Sequence, residues 1–222
     1  MVSLLDIIGP VMVGPSSSHT AGACRIGLLA RGLVGGTPES ARVELHGSFA
    51  RTGEGHGTDK AIAGGLLGFR PDDERLRDAL DIMAREGLDW RFEKTTIDDD
   101  AHPNTVRLTL SRGGVTRTVT GSSLGAGRIS LTRIEDYPVE VSGNLHTIVL
   151  VAEDRTGSVA RIAGILAEEK VNLATMRLTR RARGGDAFMV IECDEAPSEA
   201  AIAAIERLDW VRWARRLDKV SA

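Results

Sequence analysis

Residues 146–193 read HTIVLVAEDRTGSVARIAGILAEEKVNLATMRLTRRARGGDAFMVIEC, and this stretch decides the fold of the second half of the chain. Residues 146–152 form a continuous apolar run of the kind a buried strand needs. After a polar break, Val159, Ile162, Ala163 and Leu166 recur at the spacing that lines one helix face. Residues 173–179 and 187–193 return to strand, joined across Arg183-Gly184-Gly185. A helix over residues 199–207 and a strand over 210–217 complete βαββαβ, the ferredoxin-like split βαβ unit.

Working back from this unit, residues 136–145 form a linker, and residues 1–135 form a separate α+β domain. Residues 3–8 are a short apolar helix or turn ended by Gly9-Pro10. Ser16, Ser17 and Ser18 are N-cap candidates for a helix carrying Ile26, Leu28, Leu29 and Leu33, which closes at Gly35-Gly36. Alternation over residues 41–49 predicts a strand. Thr58 and Asp59 cap a further helix through Leu67, and Asp72-Asp73 open another with Leu76, Leu80 and Met83 on one face. Strands follow around residues 90–97, 106–110 and 115–120, with a glycine-rich exit at residues 121–127.

Composition removes several classes of function. Lys and Arg number 28 against 31 Asp and Glu, a net charge of −3, so no global basic field exists to hold nucleic acid. Aromatic residues are 4%, too few for stacking platforms on single strands. No apolar run is long enough to span a membrane and no signal segment is visible, which reads as a cytoplasmic protein. Two cysteines, Cys24 and Cys193, lie too far apart in sequence for a CxxC pair or a zinc ribbon.

Three clusters carry candidate chemistry. Gly14-Pro15-Ser16-Ser17-Ser18-His19-Thr20 places hydroxyls, backbone N–H groups and an imidazole at a helix start, which suits an anion or, more plainly, over-supplies an N-cap. Leu45-His46-Gly47-Ser48 leads into Thr52-Gly53-Glu54-Gly55-His56-Gly57-Thr58-Asp59, where alternate glycines around His56 let a ligand approach the backbone. That run is neither GxGxxG nor GxxxxGK[ST], so nucleotide binding is disfavoured. Asp98-Asp99-Asp100-Ala101-His102-Pro103-Asn104 is a polar loop or a plain acidic turn. No HxxxH or HExxH spacing supports a metal site.

GPSSSHTAGACRIG, LHGSFARTGEGHGTDKAIAGGLLGFRPDDERL, HPNTVR and SLGAGRI, in that order, resemble the β part of bacterial iron–sulfur L-serine dehydratases. The tail from residue 146 resembles an ACT domain. The resemblance implies deamination of L-serine to pyruvate and ammonia. A [4Fe-4S] cluster with one open iron acts on the serine hydroxyl as a Lewis acid, while a protein base removes the Cα proton. Such a cluster needs at least three thiolates. The resemblance therefore implies a partner α chain that ligates it, and no metal ligand in this chain. It further implies a subunit inactive alone and a homodimer formed through the ACT domain, while the composition already speaks against a nucleic-acid or membrane partner.

Carried onto this sequence, the resemblance makes His19 and His56 the candidate catalytic bases, because imidazole suits proton transfer near neutrality. Ser16, Ser17, Ser18, Thr20, His46, Gly55, Thr58 and Asp59 become candidate substrate-binding residues. Sparse side-chain bulk around both histidines predicts that they are unshielded and outside the core. In the tail, Asp154, Gly157 and Asn172 are candidate effector contacts. Ala152 and Asp154 stand where serine-sensing relatives have histidine and asparagine, and Thr156 replaces a proline and is expected to cap the helix opening at Gly157. The alternative to an enzyme subunit is a non-catalytic carboxylate-binding module joined to an ACT sensor, as in phosphoglycerate dehydrogenases. A co-purifying chain with three or more cysteines separates the two. A third class, a self-contained metalloenzyme, would carry stoichiometric metal.

Overall fold

The computed structural model of the chain describes residues 11–220, so the expected turn at residues 3–8 lies outside the described residues. The chain divides between Ser142 and Gly143 into two compact units. Its class is α+β. Among the described residues, no helix is long and apolar enough to cross a membrane.

The first unit is a six-stranded sheet in the order β2-β1-β3-β4-β5-β6, built from β1 (Ser40–Leu45), β2 (Asp89–Lys94), β3 (Thr105–Arg112), β4 (Val115–Gly125), β5 (Arg128–Ile134) and β6 (Tyr137–Val141). Only β1 and β2 run parallel. Val43 sits opposite Leu108 and Leu45 opposite Val106, so the period-two apolar residues of both strands share one buried face. Helix α1 (Ala23–Leu33) packs on β3, β4 and β5, and α3 (Thr58–Leu67) packs on α1. The two helices meet at Gly27 and Gly65. A Cβ on Gly27 would stand 2.7 Å from the Ile62 carbonyl oxygen, and one on Gly65 would overlap the carbonyl of Cys24. This close crossing fixes the segments that precede α1 and α3, and both carry candidate site residues.

Several expectations are corrected here. The first strand ends at Leu45 rather than Phe49, because Gly47 takes a left-handed φ of 57° and turns the chain into α2 (Gly47–His56). The N–H groups of Ser48 and Phe49 donate to the Pro103 carbonyl, at 2.6 and 3.5 Å. His56 is thus the last residue of a helix and not part of a loop. Gly57, in the left-handed region, precedes α3, so Thr58 and Asp59 are its first residues and not its cap. Asp73 caps a short 3-10 turn (Glu74–Asp78) that leads into α4 (Ala79–Arg85). The glycine-rich exit is the end of β4 and its turn into β5. Half of the expected linker is strand: β6 pairs with β5 through Tyr137, Pro138 and Val141.

The second unit is a four-stranded antiparallel sheet, β10-β7-β9-β8, from β7 (His146–Glu153), β8 (Leu173–Arg180), β9 (Asp186–Cys193) and β10 (Val211–Leu217). Helices α5 (Ser158–Glu168) and α6 (Glu199–Glu206) cover one face. Ile148, Leu150, Ile162, Leu166, Met189, Ile191 and Ile205 form its core. Thr156 does not cap α5; Gly157, at φ 88°, does so with its carbonyl, which accepts from the Arg161 N–H.

Candidate active site

His19 rides on a single π-helical turn (Ser17–Gly22) ahead of α1, and Ser16 caps that turn by accepting from the His19 backbone N–H at 3.2 Å. The turn lies flush on β4, since a Cβ on Gly22 would overlap the Ser123 hydroxyl. Such single π turns are a common way to aim a side chain at a site. The imidazole that results is caged by hydroxyls. Ser16 Oγ is 3.4 Å from Nδ1, while Thr52 Oγ1 and Ser48 Oγ stand 3.2 and 3.4 Å from Nε2. Phe49 meets the ring edge-on with centroids 5.2 Å apart.

His19 is therefore buried, at 8% exposure, contrary to the expectation that sparse neighbours leave it open. Burial, and then the nearby His56, hold its pKa below the ordinary 6.5, so the ring is neutral near pH 7. Hydroxyls donate or accept by rotating, so they satisfy either tautomer of a neutral ring.

His56 is exposed, with its ring centroid 5.0 Å from that of His19. Its Nδ1 lies 2.9 Å from the Thr52 carbonyl oxygen. A carbonyl only accepts, so Nδ1 carries the proton and Nε2 presents the lone pair. His56 thus presents an open, oriented nitrogen beside a neutral buried neighbour. It lines a cleft of about 280 Å³ together with Gly14, Thr20, Glu54, Gly57, Lys60 and Arg77.

Of the other expected residues, Thr20 and Gly55 line this cleft, Ser16 acts through His19, and Ser17 and Ser18 are half-buried in the π turn. Thr58 is fully buried beside Gly53, and the cleft wall does not include it. Asp59 Oδ1 accepts from the Lys60 N–H at 2.9 Å, a local helix-start contact. His46 stands apart. It precedes α2 while His56 ends it, so the ten residues of that helix separate them by about 15 Å at 1.5 Å per residue. No molecule as small as serine touches both. His46 Nδ1 accepts from the Ile97 N–H at 3.2 Å and faces a different opening with Arg51 and Lys94. Ser48 and Thr52 belong to the second sequence cluster but had no role assigned there. With His56 they form an i, i+4, i+8 row, a signal that becomes visible only once α2 is read as a helix.

Neither cysteine suits a cluster. Cys24 Sγ donates to the Phe69 carbonyl at 3.2 Å, and burial pushes its pKa up to about 12. Cys193 belongs to the second unit, where burial and then the Asp194 carboxylate raise it to about 11. Both are protonated thiols near neutral pH. Among the described residues no group of three or more His, Cys, Asp or Glu is placed to hold a metal ion.

In the second unit the candidate effector residues are engaged by the chain itself. Asp154 Oδ2 accepts from Arg180 at 2.7 Å and from the Gly184 N–H at 3.0 Å, and both contacts hold its carboxyl below the usual range. Asn172 donates through Nδ2 to Asp194 at 2.7 Å and through its backbone N–H to Glu195 at 2.8 Å.

Two families match the chain: the serine dehydratase beta chain over residues 3–89 and the ACT domain over residues 146–209. A probable L-serine dehydratase beta chain of Bacillus subtilis is 42% identical over 208 residues, 93% of each chain. The L-serine dehydratase beta chain of Peptoniphilus asaccharolyticus is 34% identical over 95% of this chain and 97% of its own length. A D-3-phosphoglycerate dehydrogenase of Bacillus subtilis is 24% identical over 78% of this chain but only 33% of its own.

Proposed function

The chain belongs to the L-serine dehydratase β chains, and from that premise we propose that it is the β subunit of an L-serine ammonia-lyase, which converts L-serine to pyruvate and ammonia together with an α chain. The observation that carries this reading is identity of 42% spread over 93% of both chains, so that both units are matched in their order. The weaker likeness to a phosphoglycerate dehydrogenase reaches a third of that protein and supports only shared accessory architecture.

The chemistry divides accordingly. Iron–sulfur dependence belongs to the α chain in this reading, because a [4Fe-4S] cluster needs at least three thiolates and this chain has two cysteines, one in each unit. What this chain contributes is the base and its setting. His56 Nε2 takes the Cα proton, with Nδ1 held against the Thr52 carbonyl. His19 is a positioning residue: its burial keeps it uncharged, so the proton gained by His56 meets no like charge 5.0 Å away. Thr20 and Gly55 bound the substrate space, and Ser16 orients His19. The ACT unit pairs subunits through its exposed edge strand β8 and takes no amino-acid effector, since Asp154 and Asn172 already serve its own loops.

The test is anaerobic co-expression with a candidate α chain, followed by a serine-to-pyruvate assay. Activity of the complex and inactivity of the colourless β chain are expected. A brown, active chain obtained alone would refute the subunit reading.

A further inference from the structure

The cleft beside His56 has a distribution of charge that base chemistry alone does not require. Lys60 and Arg77 line it, and among the described residues neither has an ion-pair partner. The first intrahelical bond of α3 runs from the Ala61 N–H to the Gly57 carbonyl. Of the earlier N–H groups, that of Lys60 donates to Asp59 Oδ1, and those of Thr58 and Asp59 remain at the positive dipole end of the helix, where Gly57 and Lys60 meet the cleft. A helix start alone does not define a site, but Thr20 supplies an independent sign. It is 3% exposed and lines the cleft, and its Oγ1 has no hydrogen-bond partner. A buried hydroxyl without a partner is costly and calls for one. The neighbouring Gly14 leaves room for it, since a Cβ there would overlap Thr20 Oγ1. The one carboxylate on the cleft wall is Glu54, which also faces Lys94 at 3.6 Å.

We infer that this cleft is a zwitterion pocket for a small α-amino acid. The ligand's carboxylate lies against the α3 start between Lys60 and Arg77 and accepts from Thr20 Oγ1, while its ammonium faces Glu54. The inference rests on the reading of the chain as a serine-acting subunit and assigns recognition of the amino-acid backbone to three residues, Lys60, Arg77 and Glu54, none of them among the candidate substrate-binding residues named from the sequence. A volume of about 280 Å³ accommodates an amino acid with a short side chain.

The test is titration of the full chain, alone, with L-serine, L-alanine and ethanolamine, read by amide chemical shifts, alongside steady-state kinetics of the reconstituted complex. Saturable shifts at Thr20, Gly57 and Lys60 are expected with both amino acids and not with ethanolamine, which lacks the carboxylate. Lys60→Met and Arg77→Met should each weaken serine binding and raise KM by about tenfold or more, the worth of a charge-assisted hydrogen bond, with kcat largely kept. Glu54→Gln should weaken both amino acids while sparing acetate. Absence of a saturable shift with serine, equal binding of ethanolamine, or variants that lower kcat with KM unchanged would each overturn the pocket. A complex that makes no pyruvate with any α chain would refute the enzyme reading alone, because the binding arm still decides the pocket.

Discussion

Replacing Gly65 with alanine places one methyl group where α1 and α3 cross. Its carbon would overlap the Cys24 carbonyl oxygen and approach Leu28 N to 2.9 Å and Gly27 Cα to 3.0 Å. All three are backbone atoms, so no rotamer change relieves the clash, and the helices must part by about 1 Å. Over a helix–helix contact of about 100 Å², that opens about 100 Å³, which at about 24 cal/mol per Å³ costs about 2.4 kcal/mol. Alanine regains about 1 kcal/mol of helix propensity, leaving a net loss of about 1.5 kcal/mol. Gly164→Ala in α5 is the control: a Cβ there meets nothing within 4 Å, so the same substitution should stabilise by about 0.5–1 kcal/mol. Scanning calorimetry of the full chain should show the first unit melting about 5 °C lower in Gly65→Ala and the second unit a few degrees higher in Gly164→Ala. The crossing also sets His19, ahead of α1, against His56, ahead of α3, so Gly65→Ala should lower kcat of the complex as well. If Gly65→Ala proves neutral or stabilising, the close-crossing account is wrong.

Further outcomes follow from the site and its titrations. His56→Asn should cut turnover of the reconstituted complex by about 10²-fold or more, while His19→Asn should lower it less and shift the acidic limb of the pH–rate profile; equal loss in both with no shift would refute the assigned roles. The folded state holds His19 neutral below its ordinary pKa of 6.5, so the unfolded chain binds more protons. Stability should therefore be full above about pH 6.5 and fall as the pH drops below it; the urea midpoint should follow, and His19→Asn should flatten that slope. With thiols raised to about 12 and about 11, neither cysteine should react with a thiol reagent at pH 8 until denaturant is added. Asp154→Ala should leave turnover unchanged but speed hydrogen exchange across the β8–β9 turn, which Asp154 ties through Arg180 and Gly184.

The second unit was legible almost element by element because β7 is a continuous apolar run, α5 repeats its apolar residues at the helical period, and every glycine but Gly164 lies outside its helices and strands. The first unit was less so, for physical reasons. Helix α2 carries glycine at positions 47, 53 and 55, and such a segment has poor intrinsic propensity. It is helical because Pro103, fifty residues on, accepts its first N–H groups, and because Phe49 is buried beneath it. Neither contact is visible in a local window. Strand β6 hides behind Pro138, which removes a ladder donor and suits only an edge position, the place it occupies. The chemistry-bearing residue types stood out in the sequence, but their grouping did not. His19 and His56 are brought together by the α1–α3 crossing, and His46, quoted in the same run as His56, is carried away from it by α2.

The two candidate bases are distinguished by what each could do with a proton. A base must be uncharged before the reaction, reach the substrate, and tolerate charge afterwards. His19 meets the first condition and fails the others: it is 8% exposed, both ring nitrogens already face hydroxyls, and protonation would leave a cation in a site whose burial opposes it. His56 meets all three. Its free Nε2 belongs to a ring that lines an open cleft, water reaches it, and Glu54 two residues earlier lines the same space. Its one liability is the imidazole 5.0 Å away, and burial removes that liability by holding His19 neutral. The hydroxyls around His19 fix the position of its ring, and Thr52→Val, which removes the one 3.2 Å from Nε2 while keeping the Thr52 carbonyl that holds His56, should lower kcat of the reconstituted complex. A Thr52→Val complex with wild-type kcat would show that the cage has no such role.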